Sequence, residues 1–393
     1  MQYTVTTMYG ISKNNYHGTA FAPLFGTGQG SGASPAVLLS LLVLLLHAYD
    51  RLIPHRMNFV PISGARVHSR SSDALVDDTS VGFTSSDSTS FPALVSRLQE
   101  VAQTWEKLLF LSGGKLNLNK CSWYVLGWEW KNDRPTIRKI QSEDPVLSLT
   151  QGHDSTKAPI KRHTLAQSSR KLGEYLNPMG DFSDHLQILK QKANDYSRRI
   201  LFPRLTATDV AVFHRSINIP SMRYSLAAVF ADEESLGLVQ TKVLQSTLQK
   251  LHISSKISTS LCHGPLALGG LELYDLRTEV GIETIKFLRN SLYSDSEAGN
   301  LIRINLQYSQ REAGVGFHLL EEPNVYISYL TPSWVLSICQ FLANNNMSIK
   351  VSDIQVDPLH GLTDECIMQA DHLKRYSPIR EIYLVGKRIV HPI

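Results

Sequence analysis

Asp77 and Asp78 stand side by side in the run Ser72-Asp73-Ala74-Leu75-Val76-Asp77-Asp78-Thr79-Ser80-Val81-Gly82-Phe83, with short apolar stretches on either side. Stability alone gives no reason to bring two adjacent carboxylates to a tight bend between two strands, because like charges repel. Divalent cations that bridge a phosphoryl group need carboxylate oxygens on a rigid strand end. The pair therefore reads as a metal seat for phosphoryl-transfer chemistry. A solvated hairpin tip is the other reading, since Asp is common in turns. Adjacent strand residues point to opposite faces, so only one of the two could face a metal fully.

Upstream lies Gly26-Thr27-Gly28-Gln29-Gly30-Ser31-Gly32-Ala33-Ser34-Pro35. Its glycines permit positive φ and let backbone N–H groups approach a nucleotide closely, while Gln29 offers both donor and acceptor. Ser34 suits an N-cap with Pro35 at the first helical position, so the loop presents a helix N-terminus to an anion. The spacing Gly28-x-Gly30-x-x-Ala33, with Asp50 about twenty residues on, also fits a dinucleotide-binding turn. That reading requires an apolar strand before the glycines and another before the acid, and the sequence has neither. Downstream comes Gly113-Gly114-Lys115-Leu116-Asn117-Leu118-Asn119-Lys120-Cys121.

The elements that must position these residues follow from periodicity. Residues 36–50 read as a helix and residues 72–84 as a hairpin carrying the Asp pair. Phe91 to Leu111 reads as an amphipathic helix with Leu94, Leu98, Val101, Trp105 and Leu108 on one side. Strands follow from Cys121 to Trp130, where Trp123, Tyr124, Trp128 and Trp130 read as core and hairpin packing rather than base-stacking platforms. The segment from Asp133 to Ser169 is polar without clear periodicity and reads as a flexible insertion. Helical patterns dominate from Asp181 to Arg289. From Tyr329 to Ile393 helices such as Ser333 to Ala343 mix with short strand-like runs, including Ile382 to Val385. The fold class is α+β.

With 393 residues, 42% of them hydrophobic, the chain exceeds one typical domain and has ample core material. A net charge of +4 is too mild to imply a polyanion partner by itself. Locally, Lys157, Lys161, Arg162, Arg170 and Lys171 occur with no acid among them, and Arg198 and Arg199 follow on a helix. This stripe reads either as a track for a phosphate backbone or as a solvated face. Four cysteines without Cys-x-x-Cys spacing argue against disulfides and structural zinc, and so for a reducing, intracellular compartment. The 14 His residues form no ligand cluster. The uncharged Ala36 to Leu46 run has only 11 residues, too few to span a bilayer, and no secretory leader is legible.

Taken in order, the Gln29-Gly30 loop ending in Ser34-Pro35, the Asp77-Asp78 hairpin and the Gly113 to Cys121 segment resemble the palm of retrotransposon-type reverse transcriptases. Leu172-Gly173-Glu174-Tyr175-Leu176-Asn177-Pro178 with Gly180 is similar to the primer-contacting segment that follows. His263-Gly264-Pro265-Leu266-Ala267-Leu268-Gly269-Gly270-Leu271 is similar to the helical region after the palm. The resemblance covers roughly residues 20 to 290. It implies a partial polymerase palm over 1–180 (an antiparallel sheet with helices), a helical thumb-like region over 181–300 and a mixed C-terminal extension over 301–393.

The implied reaction is template-directed transfer of deoxynucleotides onto a primer 3′-OH, in the nucleus or cytoplasm. Its implied partners are an RNA template, a DNA primer and deoxynucleoside triphosphates, with no membrane. Its implied cofactor is Mg²⁺ on Asp77 and Asp78, with Lys120 donating a proton to the leaving pyrophosphate. Gln29, Gly30, Ser34, Pro35, Gly114 and Asn117 would contact nucleotide or template, and Lys161, Arg162, Arg170 and Lys171 would meet phosphates. The family carries a further metal-binding Asp on a strand before the Gln-Gly loop, whereas residues 1–28 here hold no Asp or Glu. The expectation is therefore that the chain begins inside the palm and that Asp77 and Asp78 alone hold Mg²⁺ poorly. A non-catalytic nucleic-acid-binding remnant is the alternative from a different class.

Overall fold

Leucine-rich residues without a charge until Asp50 wind into α1 (Ser34–Leu52), the first long element of the computed structural model. The structure describes residues 34–350 except 63–66, 76–77, 86–88, 132–133, 153, 172, 203, 227–228, 314–317 and 325–326, together with residues 2, 3, 6, 7, 10, 11, 13, 16 and 17. Near the start, β1 (Gln2–Tyr3) pairs with β4 (Tyr16–His17), and β2 (Thr6–Thr7) pairs with β3 (Gly10–Ile11). The chain is an α+β protein of helices and small, mostly antiparallel two-stranded sheets. It forms two compact units, Met1–Asn58 with Ser69–Gln167, and Phe59–His68 with Ser168–Ile393. The chain passes from the first unit to the second within β5 (Met57–Phe59) and back within β6 (His68–Arg70).

In the first unit, β7 (Ser72–Leu75) and β8 (Asp78–Val81) form an antiparallel hairpin with Leu75 opposite Asp78. The helix α2 (Phe91–Leu111) has the limits its periodicity predicts, with Pro92 in its first turn. Two cores flank it. On one side Val101 and Trp105 pack with Leu42, Tyr49 and Ile53, against which Ala74 and Val81 of the hairpin close. Tyr49 is fully buried, meets Trp105 edge to face at 5.5 Å and donates its hydroxyl to the Val101 carbonyl at 3.3 Å. On the other side Val95 packs with Trp123, Leu147, Leu149 and Ile160.

That second core corrects the expected flexible insertion over 133–169. The segment contains β11 (Arg134–Ile137), paired with β10 (Trp128–Lys131), then the hairpin of β12 (Ser148–Gln151) with β13 (Asp154–Pro159), and β14 (Lys161–Arg162), parallel to β9 (Ser122–Trp123). Only isolated apolar residues reach the core here, so no period is legible. A comb of side chains on α2 satisfies the edge of β12. Gln99 accepts from Ser148 N at 2.9 Å and donates back to the Ser148 carbonyl. Gln103 accepts from Thr150 N at 2.9 Å and donates to the Thr150 carbonyl at 3.3 Å, and Glu106 accepts from Gly152 N at 2.8 Å. Helix positions four apart rise about 6 Å and strand positions two apart about 6.7 Å, so one helix face can serve a strand edge as a neighbouring strand would. Gln103→Ala strands both Thr150 backbone groups. Urea denaturation should register a loss of about 1–3 kcal/mol, whereas Lys107→Ala on the exposed face should change little.

The tryptophans divide between the core and a hairpin. Trp123 is buried, with its indole N–H donating to the Ile160 carbonyl at 3.0 Å, whereas Trp128 and Trp130 stand 56% and 69% exposed on the β10–β11 hairpin. Trp128 and Trp130 share one strand face of that hairpin and stay largely open to solvent.

The second unit opens with the hairpin of β15 (Ser169–Lys171) and β16 (Glu174–Leu176) and is otherwise helical. Its first core joins α3 (Ser183–Ile200), α4 (Ala207–Phe213), α5 (Ile219–Leu226) and α6 (Glu233–Lys250) through Leu189, Ala193, Val210, Met222, Val239 and Val243. The short α7 (Thr259–His263) leads through Leu273 to α8 (Leu276–Leu292). A second core joins α8 to α9 (Glu297–Ala313) and α10 (Trp334–Asn344). Thr206 with Asp209 forms a capping box, and Asp232, Asp275 and Ser333 cap α6, α8 and α10. Gly281 lets α8 approach α10 closely, since a Cβ there would come within 2.0 Å of the Phe341 ring.

Among the described residues Cys121, Cys262 and Cys339 are free thiols, and no helix is long and apolar enough to cross a membrane. Cys366 and the run Ile382 to Val385 lie outside the described residues.

Candidate functional site

The hairpin register decides where its acids can point. Ala74 and Val81 face the α1–α2 core, and cross-strand partners share a face, so Asp73, Asp78 and Ser80 lie on the opposite one. Asp78 opens β8 and is exposed. Asp73 is held by an ion pair with Arg70. Asp77 lies outside the described residues, as do Gln29 and Gly30. Ser34 and Pro35 begin α1.

The glycines after α2 have a structural task. Gly113 takes φ +86°, its N–H bonds to the Phe110 carbonyl at 2.9 Å, and the Gly114 N–H bonds to the Leu109 carbonyl at 2.8 Å. This pattern of paired bonds around a left-handed glycine closes a helix C-terminus. A Cβ on Gly114 would sit 2.5 Å from Leu109 Cδ1. The reading of Gly114 as a nucleotide contact thus acquires a rival reason, the need to stop α2. Leu116 then packs into both cores of the unit and pins the loop.

What the pinned loop offers is a cleft of about 490 Å³ lined by Lys115, Asn117, Asn119 and Gln151 over Leu116, Leu118 and Ala158. Asn117 begins a single 3₁₀ turn over Leu118–Lys120, its carbonyl accepting from Lys120 N at 2.9 Å. Lys115, Asn117, Asn119 and Lys120 are exposed. Outside the lining, β14 places exposed Lys161 level with Ser122, and exposed Lys157 precedes the cleft residue Ala158 on β13. The described lining contains no carboxylate. Amide side chains that both donate and accept, beside ammonium groups, suit a ligand with a base-like polar edge and phosphates. Lys115, Asn119 and Gln151 were not singled out in the sequence. For Gln151 no local signal existed, since it reaches the loop from β12 and donates to the Leu116 carbonyl.

The basic stripe divides between the two units. Lys161 and Arg162 belong to the first unit, Arg170 and Lys171 to the second. Arg162 is turned inward. It donates to Asp144 at 2.6 Å, lies over the Phe91 and Trp123 rings, and is committed to the fold rather than to a phosphate. Arg170 and Lys171 are exposed on β15.

No protein-family model matches this chain, and no curated protein matches it. Among the described residues no three His, Cys, Asp or Glu side chains converge to hold a metal ion.

Proposed function

We propose that this chain is part of a retrotransposon-type reverse transcriptase, with residues of the first unit serving as polymerase palm and the helical second unit as a thumb-like region. One observation carries the reading. The helix α1, the β7–β8 hairpin, α2 and the lysine–amide cleft form one packed unit in the chain order that the resemblance implies, joined at Leu116. The proposed partners are an RNA template, a DNA primer and deoxynucleoside triphosphates, inside the cell.

In the reaction proposed, the primer 3′-hydroxyl gives its proton to water, its oxygen bonds to the α-phosphorus of the incoming nucleotide, and the bond to the pyrophosphate oxygen breaks. Asp77 and Asp78 offer the hard oxygen donors that Mg²⁺ prefers, one or two carboxylates being its usual share beside substrate phosphates. When bound there, Mg²⁺ would stabilise the charge that develops on the transferring phosphate. Lys115 and Lys120 would hold the nucleotide's phosphates, Lys120 giving a proton to the departing pyrophosphate. Asn117 and Asn119 would orient the base or sugar.

The test is primer extension on an RNA template, with the chain alone and with the chain joined to a segment that supplies a further palm carboxylate. Alone, incorporation should not exceed that of the Asp77→Ala, Asp78→Ala double variant. In the joined form, extension should appear and fall about a hundredfold with Asp77→Asn, a few kcal/mol of transition-state stabilisation, and less with Asp78→Asn. A joined form that never extends, or that ignores Asp77→Asn, overturns the proposal. It would leave the second reading, nucleic-acid binding without chemistry, which the carboxylate-free lining of the cleft favours.

A further inference from the structure

The helices α6, α8 and α10 meet the end of α5 and the link after it around a cavity of about 50 Å³ in the second unit. Its floor is aliphatic, made by Leu226, Val229, Ala231, Leu236, Val280 and Ile338, all of them buried. Two hydroxyls in the lining are spent on their own helices. Thr284 donates to the Val280 carbonyl at 2.8 Å, and Ser337 to the Trp334 carbonyl at 2.8 Å. A water needs about two to four polar partners, so this floor suits an apolar occupant better. One water takes roughly 10–15 Å³ on this scale, which makes the space that of a branched side chain of about four heavy atoms.

The rim of the cavity carries one charge of each sign, Glu233 and Arg277. Glu233 opens α6, and Gly237 follows one turn later on the same side. The Arg277 guanidinium lies against Gly237, since a Cβ there would come within 2.7 Å of its Nη2. Guanidinium and Glu233 backbone are thus about 6 Å apart along the helix. The two charges are nevertheless not paired. Glu233 accepts from Asn344 Nδ2 at 2.7 Å, which holds its carboxylate toward α10. Arg277 has no ion-pair or hydrogen-bond partner among the described residues. Both side chains are exposed, and both keep bonding capacity, the carboxylate for further donors and the guanidinium for its whole fork.

We infer that this cavity binds a free aliphatic α-amino acid of the size of valine or leucine, with its side chain on the floor, its carboxylate on Arg277 and its ammonium on Glu233. The planar fork of Arg277 matches a carboxylate through two parallel bonds. In such a zwitterion the two charges flank one carbon, so they can bridge the two rim groups while the third substituent of that carbon enters the floor. A fatty acid lacks the ammonium, and a peptide N-terminus lacks the carboxylate at that carbon. Gln340, also in the lining, can donate to or accept from either group. The inference does not depend on the palm proposal, because it uses no residue of the first unit.

The experiment titrates L-leucine into the full chain at neutral pH, read by ligand-observed saturation-transfer NMR. A ligand of this size with two charge-assisted contacts should bind with a dissociation constant of about 0.1–1 mM. Leucinamide, which lacks the carboxylate, and 4-methylpentanoate, which lacks the ammonium, should each bind at least about tenfold more weakly. Glycine, without a side chain for the floor, should give no signal. Arg277→Gln should weaken leucine to the level of leucinamide and leave leucinamide itself unchanged. Glu233→Gln should do the same for leucine against 4-methylpentanoate. Both positions are on the surface, circular dichroism checks the fold of each variant, and the ligand comparison on the wild-type chain needs no variant at all. No leucine signal up to about 10 mM, equal affinity for leucine and leucinamide, or leucine binding that ignores Arg277→Gln overturns the inference.

Discussion

Asp144→Ala should destabilise the first unit by about 3–5 kcal/mol, the usual consequence of leaving buried charges without their partner. Asp144 is only 6% exposed and lies between two guanidinium groups that are themselves 18% and 14% exposed. Arg138 holds both carboxylate oxygens, one of them at 2.9 Å, Arg162 donates at 2.6 Å, and the Gln141 N–H adds a further bond at 3.0 Å. Arg138 also lies 3.8 Å above the Phe91 ring. Removing the carboxylate leaves two cations facing each other beside Trp123. Asp144→Asn should lose somewhat less, because the amide keeps an acceptor.

Those bonds, led by Arg138, hold the Asp144 carboxyl well below the usual carboxylate range against the opposing effect of its burial. Its folded-state value is depressed, so its stabilisation is complete above the unfolded value of about 4 and is lost as pH falls below that. The difference between wild type and Asp144→Ala should thus be full at pH 7 and shrink at pH 3. Hydrogen exchange of the amides in β9 and β12 reports on this unit alone. A constant difference across that range would show that packing, not charge, sets the effect.

The second unit should be the more acid-labile, losing about 3 kcal/mol between pH 6.5 and 4 through His214, at 1.36 kcal/mol per unit of pKa displacement. His214 opens a π-helical turn, His214–Asn218, between α4 and α5 and is 1% exposed. Its Nδ1 meets Asn218 Nδ2 at 3.3 Å. Burial pushes the imidazole down to about 4, assisted by the neighbouring His263 and Arg215 and opposed by the nearby Tyr274 backbone. Protonation is favoured in the unfolded chain first, so stability is present above pH 6.5 and lost as pH falls toward 4. His263 is turned so that Nδ1 donates to the Leu273 carbonyl at 2.6 Å, leaving Nε2 toward Gln240 and Asp275. His214→Gln should flatten the acid limb seen by exchange of α5 and α6 amides, whatever it does to stability at pH 8. An unaltered limb would assign the lability to another group, His185 being next in line because burial lowers it too.

Three elements were legible without neighbours. The limits of α2 follow from apolar spacing and Pro92, the hairpin from two short runs on either side of adjacent acids, and α10 from Ser333 and the run after it. Each depends on signals within about one element's length of chain. The strands between 134 and 162 were not legible, because their edge bonds come from Gln99, Gln103 and Glu106 on α2, which share no local pattern with them.

Residue types alone determined the chemistry available to this protein: adjacent carboxylates at Asp77 and Asp78, amides and lysines from Lys115 to Lys120, and cations in stretches without acids. Such properties are covalent and survive any fold. Which of them remain available was decided by the tertiary structure. Arg162 entered the stripe by composition and left it when Asp144 took its charge, and the two glycines after α2 became a helix stop. Pairing of charges and burial of polar edges depend on groups distant in sequence, and a local pattern cannot encode which distant partner arrives first.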